Sequence, residues 1–368
     1  MSPDVQLPPV IERLLADMES RKPAALARAV SIVENHRSGF DALLGALHPK
    51  LGNAWRIGIT GPPGAGKSTL TTALAAAMRE QGHTVGIVAV DPTSPFTGGA
   101  LLGDRIRMER VALDPGVYIR SLATRGSLGG LSAATREVAD VLDAYGFDRI
   151  LIETVGVGQS ELDVARTADT TLVVLVPESG DAIQTLKAGL MEIADLYVVN
   201  KADRPGADRV RNDIEVMLGI RGGAGYSNVP AHHGVDLKRL MNPARHAREA
   251  ARSEGDSWTP SVLRTVAAQE EGIVEVLEAI GRHRHYLEAS GELRARRRAR
   301  LRERVVEVVE HKVRQRLWSD ADCNTFVDER LTALEQGTTT PFAVADELLA
   351  RSADLIAPSA DLITRTGQ

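Results

Sequence analysis

The stretch Gly61-Pro62-Pro63-Gly64-Ala65-Gly66-Lys67-Ser68-Thr69 decides the fold of this chain. It fits the pattern G-x-x-x-x-G-K-[ST]. The apolar run at residues 55–60 predicts a buried strand before it, and the Ala-rich run at residues 67–81 predicts a helix after it. Strand, glycine-rich loop and helix in this order are typical of a P-loop, in which backbone N–H groups and a helix N-terminus hold a phosphate chain.

Two side chains of this loop have predicted roles of their own. Lys67 is placed to reach the β- and γ-phosphates of a nucleotide, and the hydroxyl of Ser68 is placed to ligate Mg²⁺. The whole loop is the candidate phosphate-binding segment, made of Gly61, Pro62, Pro63, Gly64, Ala65, Gly66, Lys67, Ser68 and Thr69.

Length and composition narrow the class of protein. The chain has 368 residues, of which 43% are apolar and only 4% aromatic, and its net charge is −5. This predicts one large α/β domain with extensions, or two domains, and it argues against bulk binding to nucleic acid or anionic membranes. The single cysteine, Cys323, excludes an internal disulfide. Because no stretch reads as a signal peptide or a membrane span, we expect a cytoplasmic protein with no nucleic-acid and no membrane partner.

Beyond residue 55, strand-like and helix-like stretches alternate. The predicted strands are residues 55–60, 84–90, 117–121, 148–153, 171–176, 196–200 and 260–266, and the predicted helices are residues 67–81, 102–112, 131–145, 182–193, 207–218 and 272–288. Near-continuous Val/Ile/Leu runs are typical of buried parallel strands. We therefore predict the α/β class, a P-loop NTPase with a mostly parallel central sheet flanked by helices.

Helical patterns also occur outside this alternating region. Residues 1–50 predict a helical N-terminal extension, and residues 289–368 predict a C-terminal helical arm and tail, with one long helix at residues 289–317 and a short helix after Pro341. Residues 51–288, between these two extensions, are the predicted nucleotide-binding domain.

Acidic residues follow two of the predicted strands. Asp91 ends the second strand, Asp104 lies in the stretch after it, and Glu153 ends the fourth strand. Because ligands bind at the carboxyl ends of parallel strands, these carboxylates and Ser68 are candidate Mg²⁺ ligands. Asp91 and Asp104 also fit the simpler role of a turn or helix cap. Gly156 leaves room for a backbone N–H group to contact a γ-phosphate.

The sequence Asn200-Lys201-Ala202-Asp203 matches N-K-x-D and ends the sixth predicted strand. The carboxylate of Asp203 can accept two hydrogen bonds from guanine N1–H and N2–H₂, which adenine does not offer, so GTP and GDP are the predicted ligands. The expected reaction is in-line attack of water on the γ-phosphate. Gln159 lies two places beyond the usual offset of a water-orienting residue, which predicts slow intrinsic turnover.

The complete motif series resembles the MeaB/ArgK-type G proteins, the P-loop GTPases that chaperone methylmalonyl-CoA mutase and include the methylmalonic aciduria type A protein. The resemblance covers about residues 10–350 and is carried by residues 61–69, 91–99, 102–108, 123–126, 153–161, 191–195 and 200–203.

This resemblance implies a GTPase that forms a homodimer through its C-terminal helices. It implies that the partner is an adenosylcobalamin-dependent acyl-CoA mutase. The protein would gate the loading of this mutase with cofactor from an adenosyltransferase, and it would protect or reactivate the mutase. The resemblance places Mg²⁺ on the four ligands named above. It adds a switch segment at residues 178–187, in which Asp181 and Lys187 match the pattern. The implied catalytic residues are Lys67, Asp104, Glu153 and Lys187.

Two positions depart from the family pattern. Ser127 stands where the family usually has His, and Thr265-Val266-Ala267 stands where a Ser-Ala pair normally backs the guanine base. The backbone N–H of Ala267 is then the predicted base contact, with weaker base binding overall. These departures leave the client open between a mutase for methylmalonyl-CoA and one for isobutyryl-CoA or 2-hydroxyisobutyryl-CoA.

Three other classes remain as alternatives. A metallochaperone-type GTPase would need Cys and His ligands around the switch loops, where this sequence has none. A kinase would need an acceptor pocket, and no dedicated substrate domain is evident. An RNA-associated GTPase is favoured only by the Arg-rich stretch at residues 294–304.

Overall fold

A computed structural model describes residues 7–91, 108–123, 130–154, 160–177, 191–221 and 257–352. Its centre is a parallel sheet of seven strands in the order β3-β2-β4-β1-β5-β6-β7. The strands are β1 (Trp55–Thr60), β2 (Val85–Asp91), β3 (Val117–Ala123), β4 (Arg149–Thr154), β5 (Thr170–Leu175), β6 (Leu196–Val199) and β7 (Ser261–Arg264).

The helices in the described ranges are α1 (Pro9–Glu19), α2 (Pro23–Glu34), α3 (Phe40–Leu47), α4 (Lys67–Glu80), α5 (Glu109–Ala112), α6 (Gly130–Tyr145), α7 (Ser160–Thr167), α8 (Met191–Ile193), α9 (Ala207–Arg221), α10 (Ile273–Ala289), α11 (Glu292–Ser319), α12 (Ala321–Glu335) and α13 (Pro341–Arg351). Short 3₁₀ turns occur at His48–Lys50 and Ala267–Gln269.

These elements confirm the predicted α/β class with a parallel sheet. Every predicted strand is present, and its ends lie within about two residues of the prediction. The predicted helices at residues 102–112 and 182–193 are described only as α5 and α8, because residues 92–107 and 178–190 lie outside the described ranges. Helix α7 was not predicted, since its eight residues carry too short a periodic pattern.

Both faces of the sheet are covered by helices. On one face, α4 and α10 pack on the inward side chains of β1 and its neighbours, with Leu70, Leu74, Val276 and Ile280 fully or almost fully buried. On the other face, α6 and the N-terminal helices form one apolar cluster, and α9 packs against β5 and β6 in a smaller one. The inner strands β1, β2, β4, β5 and β6 are therefore buried on both faces, which explains their largely apolar sequences, whereas the edge strands β3 and β7 are only partly buried.

The N-terminal helices are part of the same compact unit as the sheet, which extends over Met1–Leu293. Leu14 of α1 and Val30 of α2 lie in one buried cluster with Val138 and Leu142 of α6. Pro23 begins α2, as expected from the fixed φ of proline at a first helical position.

A buried ionic group fixes the chain where it enters β1. The carboxylate of Asp143, on α6, accepts hydrogen bonds from the backbone N–H groups of Gly52, Asn53 and Ala54 at 2.8–3.1 Å. Arg56 donates to Asp143 and to Asp140 at 3.1 and 2.8 Å. Burial by itself lowers the pKa of Arg56, but the two carboxylates outweigh it, so the pKa of Arg56 is raised and its charge is retained.

Arg294–Gln368 form a second compact unit, which is described by itself. Its core contains Leu317, Cys323, Phe326, Val344 and Leu348. The sequence prediction missed helix α12. Its capping signal is nevertheless present, since the side chain of Asp320 accepts hydrogen bonds from the backbone N–H groups of residues 322 and 323. None of the helices in the described ranges combines the length and apolar character needed to cross a membrane.

We expect Asp143→Ala to lower the free energy of unfolding by about 3–5 kcal/mol, because it removes one partner of a buried ion pair and leaves three backbone donors without their acceptor. Chemical denaturation in urea measures this change. The matched control is Glu288→Ala, which removes an exposed i,i+4 partner of Arg284 and should cost less than about 1 kcal/mol. Equal losses in the two variants would contradict the assigned role of Asp143.

Candidate functional site

The candidate site lies at the carboxyl edge of the sheet, where β1, β4 and β6 end. The P-loop leaves β1, Glu153 is near the end of β4, and Asn200 directly follows β6. In a parallel sheet these ends share one edge, which is where open α/β folds bind ligands.

Glycines allow the P-loop to pass close to neighbouring segments. Gly61 has φ +140°, and a Cβ atom there would lie 2.1 Å from the carbonyl oxygen of Val174 in β5. Gly66 has φ +84°, and a Cβ atom there would lie 2.4 Å from Nδ2 of Asn200. Both positions therefore require glycine for space as well as for backbone conformation. Helix α4 begins at the next residue, Lys67.

Lys67 is buried at the base of this loop. Its ammonium group donates to the carbonyl oxygens of Gly61 and Pro62 at 2.8 and 3.0 Å. The contacts hold the cationic end of the side chain inside the curve of the loop. The contact of Lys67 with a β- or γ-phosphate stays a prediction.

Ser68 and Glu153 meet across the site. The hydroxyl of Ser68 donates to Oε1 of Glu153 at 2.5 Å, and Glu153 is buried. Next to them, Thr154 donates to the hydroxyl of Thr60 at 3.0 Å, so the ends of β4 and β1 are joined by side chains as well as by the sheet. A hydroxyl and a carboxylate in contact supply two oxygen atoms, and oxygen is the ligand atom that Mg²⁺ prefers.

Asp91 is the last residue of β2, which pairs with β4 up to Thr154. Its backbone therefore ends at the same edge as Glu153, and its side chain is outside the described part of the structure. Asp104, Gly156 and Lys187 also lie outside the described residues.

The side chain of Asn200 connects three loops. Its Nδ2 donates to the carbonyl oxygen of Ala65 in the P-loop at 2.9 Å. Its Oδ1 accepts from the hydroxyl of Thr265 at 3.0 Å and from the backbone N–H of Ala267 at 3.1 Å. Asn200 is 3% exposed, so these bonds are shielded from water. Sequence reasoning assigned Asn200 only by its motif and did not anticipate the role of Thr265.

The remaining N-K-x-D residues surround this contact. Lys201 has φ +55°, a left-handed conformation that turns the chain just after Asn200. The N–H of Ala202 donates to the carbonyl oxygen of Thr265 at 3.0 Å, which joins this turn to the end of β7. Asp203 is exposed. The predicted base contact, the N–H of Ala267, donates to Asn200 in this structure.

These features together define a P-loop nucleotide-binding protein. They are a parallel sheet, a P-loop with its lysine, an acidic residue beside the serine of that loop, and an asparagine that joins the loop to the segment after β7. The sequence model of the family described as "Methylmalonyl Co-A mutase-associated GTPase MeaB" matches residues 26–322. The chain belongs to this family, and it is a P-loop GTPase.

Individual relatives agree with this assignment. A putative GTPase of Pyrococcus abyssi is 43% identical over 340 residues, which cover 92% of this chain and 96% of that protein. The mouse protein named methylmalonic aciduria type A homolog, mitochondrial, is 35% identical over 301 residues, which cover 78% of this chain and 66% of that one. Among solved structures, one titled as an LAO/AO transport system kinase is similar with a TM-score of 0.64 at 29% identity, covering 92% and 96% of the two chains.

Substitutions at Asn200 and Thr265 should have graded effects. Thr265→Val removes one donor and should lower the free energy of unfolding by about 1 kcal/mol. Asn200→Ala removes all three hydrogen bonds and leaves buried groups of residues 65 and 267 without partners. We therefore expect it to lower the free energy of unfolding by about 2–4 kcal/mol and to weaken the binding of fluorescent GDP more than Thr265→Val does. Urea denaturation and nucleotide titration measure both. If Thr265→Val were as damaging as Asn200→Ala, Asn200 would not be the joining residue.

Proposed function

We propose that this GTPase binds guanine nucleotide with residues 61–69, Asn200, Lys201, Asp203 and Ala267. The observation that carries the proposal is the contact of Asn200 with both the P-loop and the loop after β7, because these are the two segments proposed to hold the phosphates and the base. Gly156 is included as a γ-phosphate contact on the sequence pattern alone. Asp203 would accept from guanine N1–H and N2–H₂, and the Lys201 stem would lie along the base.

Ser68, Asp91, Asp104 and Glu153 would hold Mg²⁺. The contact of Ser68 with Glu153 supports the first and last of these, and the strand-end position of Asp91 supports the second. When bound, the ion would neutralise charge on the β- and γ-phosphates. Lys67 would stabilise the same charge from the loop side, as its buried ammonium group is fixed by two carbonyl oxygens.

The client is proposed to be an adenosylcobalamin-dependent acyl-CoA mutase. Support comes from the family description, which names a mutase-associated GTPase, and from the name of the mouse relative. The protein would use GTP hydrolysis to gate loading of the mutase with its cofactor from an adenosyltransferase, and to protect or reactivate the mutase. Residues 178–187, with Lys187, would link the nucleotide to the client. This activity would take place in the cytoplasm.

The metallochaperone alternative would need a cluster of metal-ligating side chains. Within the described ranges, no group of three or more His, Cys, Asp and Glu side chains is arranged to hold a metal ion.

Hydrolysis of GTP by the purified protein should be slow and should rise at least about tenfold when the correct mutase is added. The assay measures phosphate release with methylmalonyl-CoA, isobutyryl-CoA and 2-hydroxyisobutyryl-CoA mutases added separately. Lys67→Ala serves as the control for contaminating activity. Acceleration by one mutase alone would identify the client, whereas tight GTP binding with no acceleration by any of them would reject the mutase proposal.

We also propose a homodimer formed through α11. The apolar stripe of this helix is solvent-exposed in the single chain, with exposed fractions of 51% for Leu301, 63% for Val305, 42% for Val308 and 53% for Val309. Large apolar side chains in a contiguous row mark interaction surfaces. A second copy of the chain is the proposed occupant because, in a two-fold interface, the same surface of both subunits is in contact, so the stripe of one copy would pack against the stripe of the other.

Val305→Asp combined with Val309→Asp should convert the dimer to a monomer, since it would bury charges at the centre of the contact. Analytical ultracentrifugation measures the mass. The control is Glu310→Gln, which changes a charge on the same helix outside the stripe. A dimer that persists in the double variant at micromolar concentration would show that the stripe is not the interface.

A further inference from the structure

Two threonine hydroxyl groups meet between the strand that leads to the P-loop and the strand that carries Glu153. The backbone pairing of β1 with β4 ends with Ile59 and Glu153. One residue farther along each strand, the hydroxyl of Thr154 donates to the hydroxyl of Thr60 at 3.0 Å. The side chains therefore continue the contact between the two strands at the point where the backbone pairing stops.

Packing by itself does not call for hydroxyl groups at these positions. Thr60 and Thr154 are 0% and 3% exposed, and the buried residues of the same strands include Ile57, Ile59 and Ile152. Valine has nearly the shape of threonine and carries no polar group that must find a partner in the interior. The two hydroxyl groups therefore need a reason beyond filling the core.

The hydroxyl pair lies on the opposite face of the sheet from the contact between Ser68 and Glu153. Side chains alternate between the two faces along a strand. Leu151 belongs to the apolar cluster of α4, whereas Ile152 belongs to the cluster of α6 and the N-terminal helices. Glu153 shares the face of Leu151, and Thr154 shares the face of Ile152. Thr154 can therefore act on the site through the backbone, without touching a ligand there.

The hydroxyl pair closes a ring of contacts around the site. The members of the ring are joined by three hydrogen bonds and three peptide links, and they are Thr60, Gly61, Lys67, Ser68, Glu153 and Thr154. The other two hydrogen bonds run from the ammonium group of Lys67 to the carbonyl oxygen of Gly61 at 2.8 Å, and from Ser68 to Glu153 at 2.5 Å. A closed ring restrains each member more than an open chain does, because a shift of one member strains a hydrogen bond elsewhere in the ring.

We propose that Thr60 and Thr154 are positioning residues that set the distance between Lys67 and the pair of Ser68 with Glu153. The inference rests on the proposed nucleotide and Mg²⁺ site, in which Lys67 would meet phosphate and the other two residues would meet the ion. Neither threonine contacts the nucleotide or the ion. Their hydrogen bond holds the ends of β1 and β4 at one separation, so the groups for phosphate and for Mg²⁺ keep a fixed relation.

The test measures how much Mg²⁺ tightens the binding of fluorescent GDP, given as the ratio of the Kd in EDTA to the Kd in Mg²⁺. The full-length variants are Thr60→Val, Thr154→Val and the double variant, in which valine keeps the shape and removes the hydroxyl. Thr154→Ser keeps the hydroxyl and removes only a methyl group. The matched control is Thr170→Val, which removes a buried hydroxyl that accepts from Trp55 at the first residue of β5. Urea denaturation measures the stability of every variant.

We expect the ratio to fall by about two- to fivefold in Thr154→Val and in Thr60→Val, because each removes the same hydrogen bond. The double variant should show no further fall. Thr154→Ser should keep the wild-type ratio. Thr170→Val should be less stable in urea and still keep the wild-type ratio, which separates positioning from a general loss of stability.

An unchanged ratio in Thr154→Val, or an equal fall in Thr170→Val, would overturn the positioning role and leave the nucleotide site intact. Effects that multiply in the double variant would also overturn it. If Thr60→Val does not fold, the comparison of Thr154→Val with Thr154→Ser decides alone. Wild-type protein that binds GDP without any influence of Mg²⁺ would overturn the proposed Mg²⁺ site, and the positioning role with it.

Discussion

The buried amide of Asn200 is the contact on which the geometry of the site depends. One side-chain amide donates to the P-loop and accepts from two groups after β7, so it joins two loops from distant parts of the sequence to its own. The contact is possible only because position 66 is glycine, since a Cβ atom there would occupy the space of the amide. The P-loop and the loop after β7 are therefore held together by packing as well as by hydrogen bonding.

The opposite edge of the sheet is fixed by another set of buried polar contacts. The indole N–H of Trp55 donates to the hydroxyl of Thr170 at 3.0 Å. The same hydroxyl lies 2.9 Å from Nδ1 of His283, and Nε2 of His283 lies 3.2 Å from the carboxylate of Asp195. These residues begin β1 and β5, precede β6 and lie on α10. Because both ends of the central strands are tied in this way, the loops at the carboxyl edge are carried by a rigid base, which precise placement of catalytic groups needs.

Sequence patterns predicted the inner strands well because these strands are buried on both faces and read as nearly continuous apolar runs. They were weaker where a helix is short or lies at the surface. Helix α7 was missed, and helix α12 was missed although Asp320 caps it, because its own apolar positions are few. In the site, the motifs identified Lys67, Ser68 and Glu153, whereas the hydroxyl pair of Thr60 with Thr154 carried no signal, since threonine is common in strands.

The sequence by itself determined the α/β class, the order of the strands along the chain and the identity of the P-loop GTPase motifs. Each of these is encoded in short-range patterns of glycine, charge and apolar spacing. Only the tertiary structure decided the spatial strand order, the anchoring of the β1 entry by Asp143 and the partners of Asn200. Such contacts join residues as far apart as positions 65, 200 and 267. Long-range pairing of this kind depends on how the layers pack, which no local pattern records.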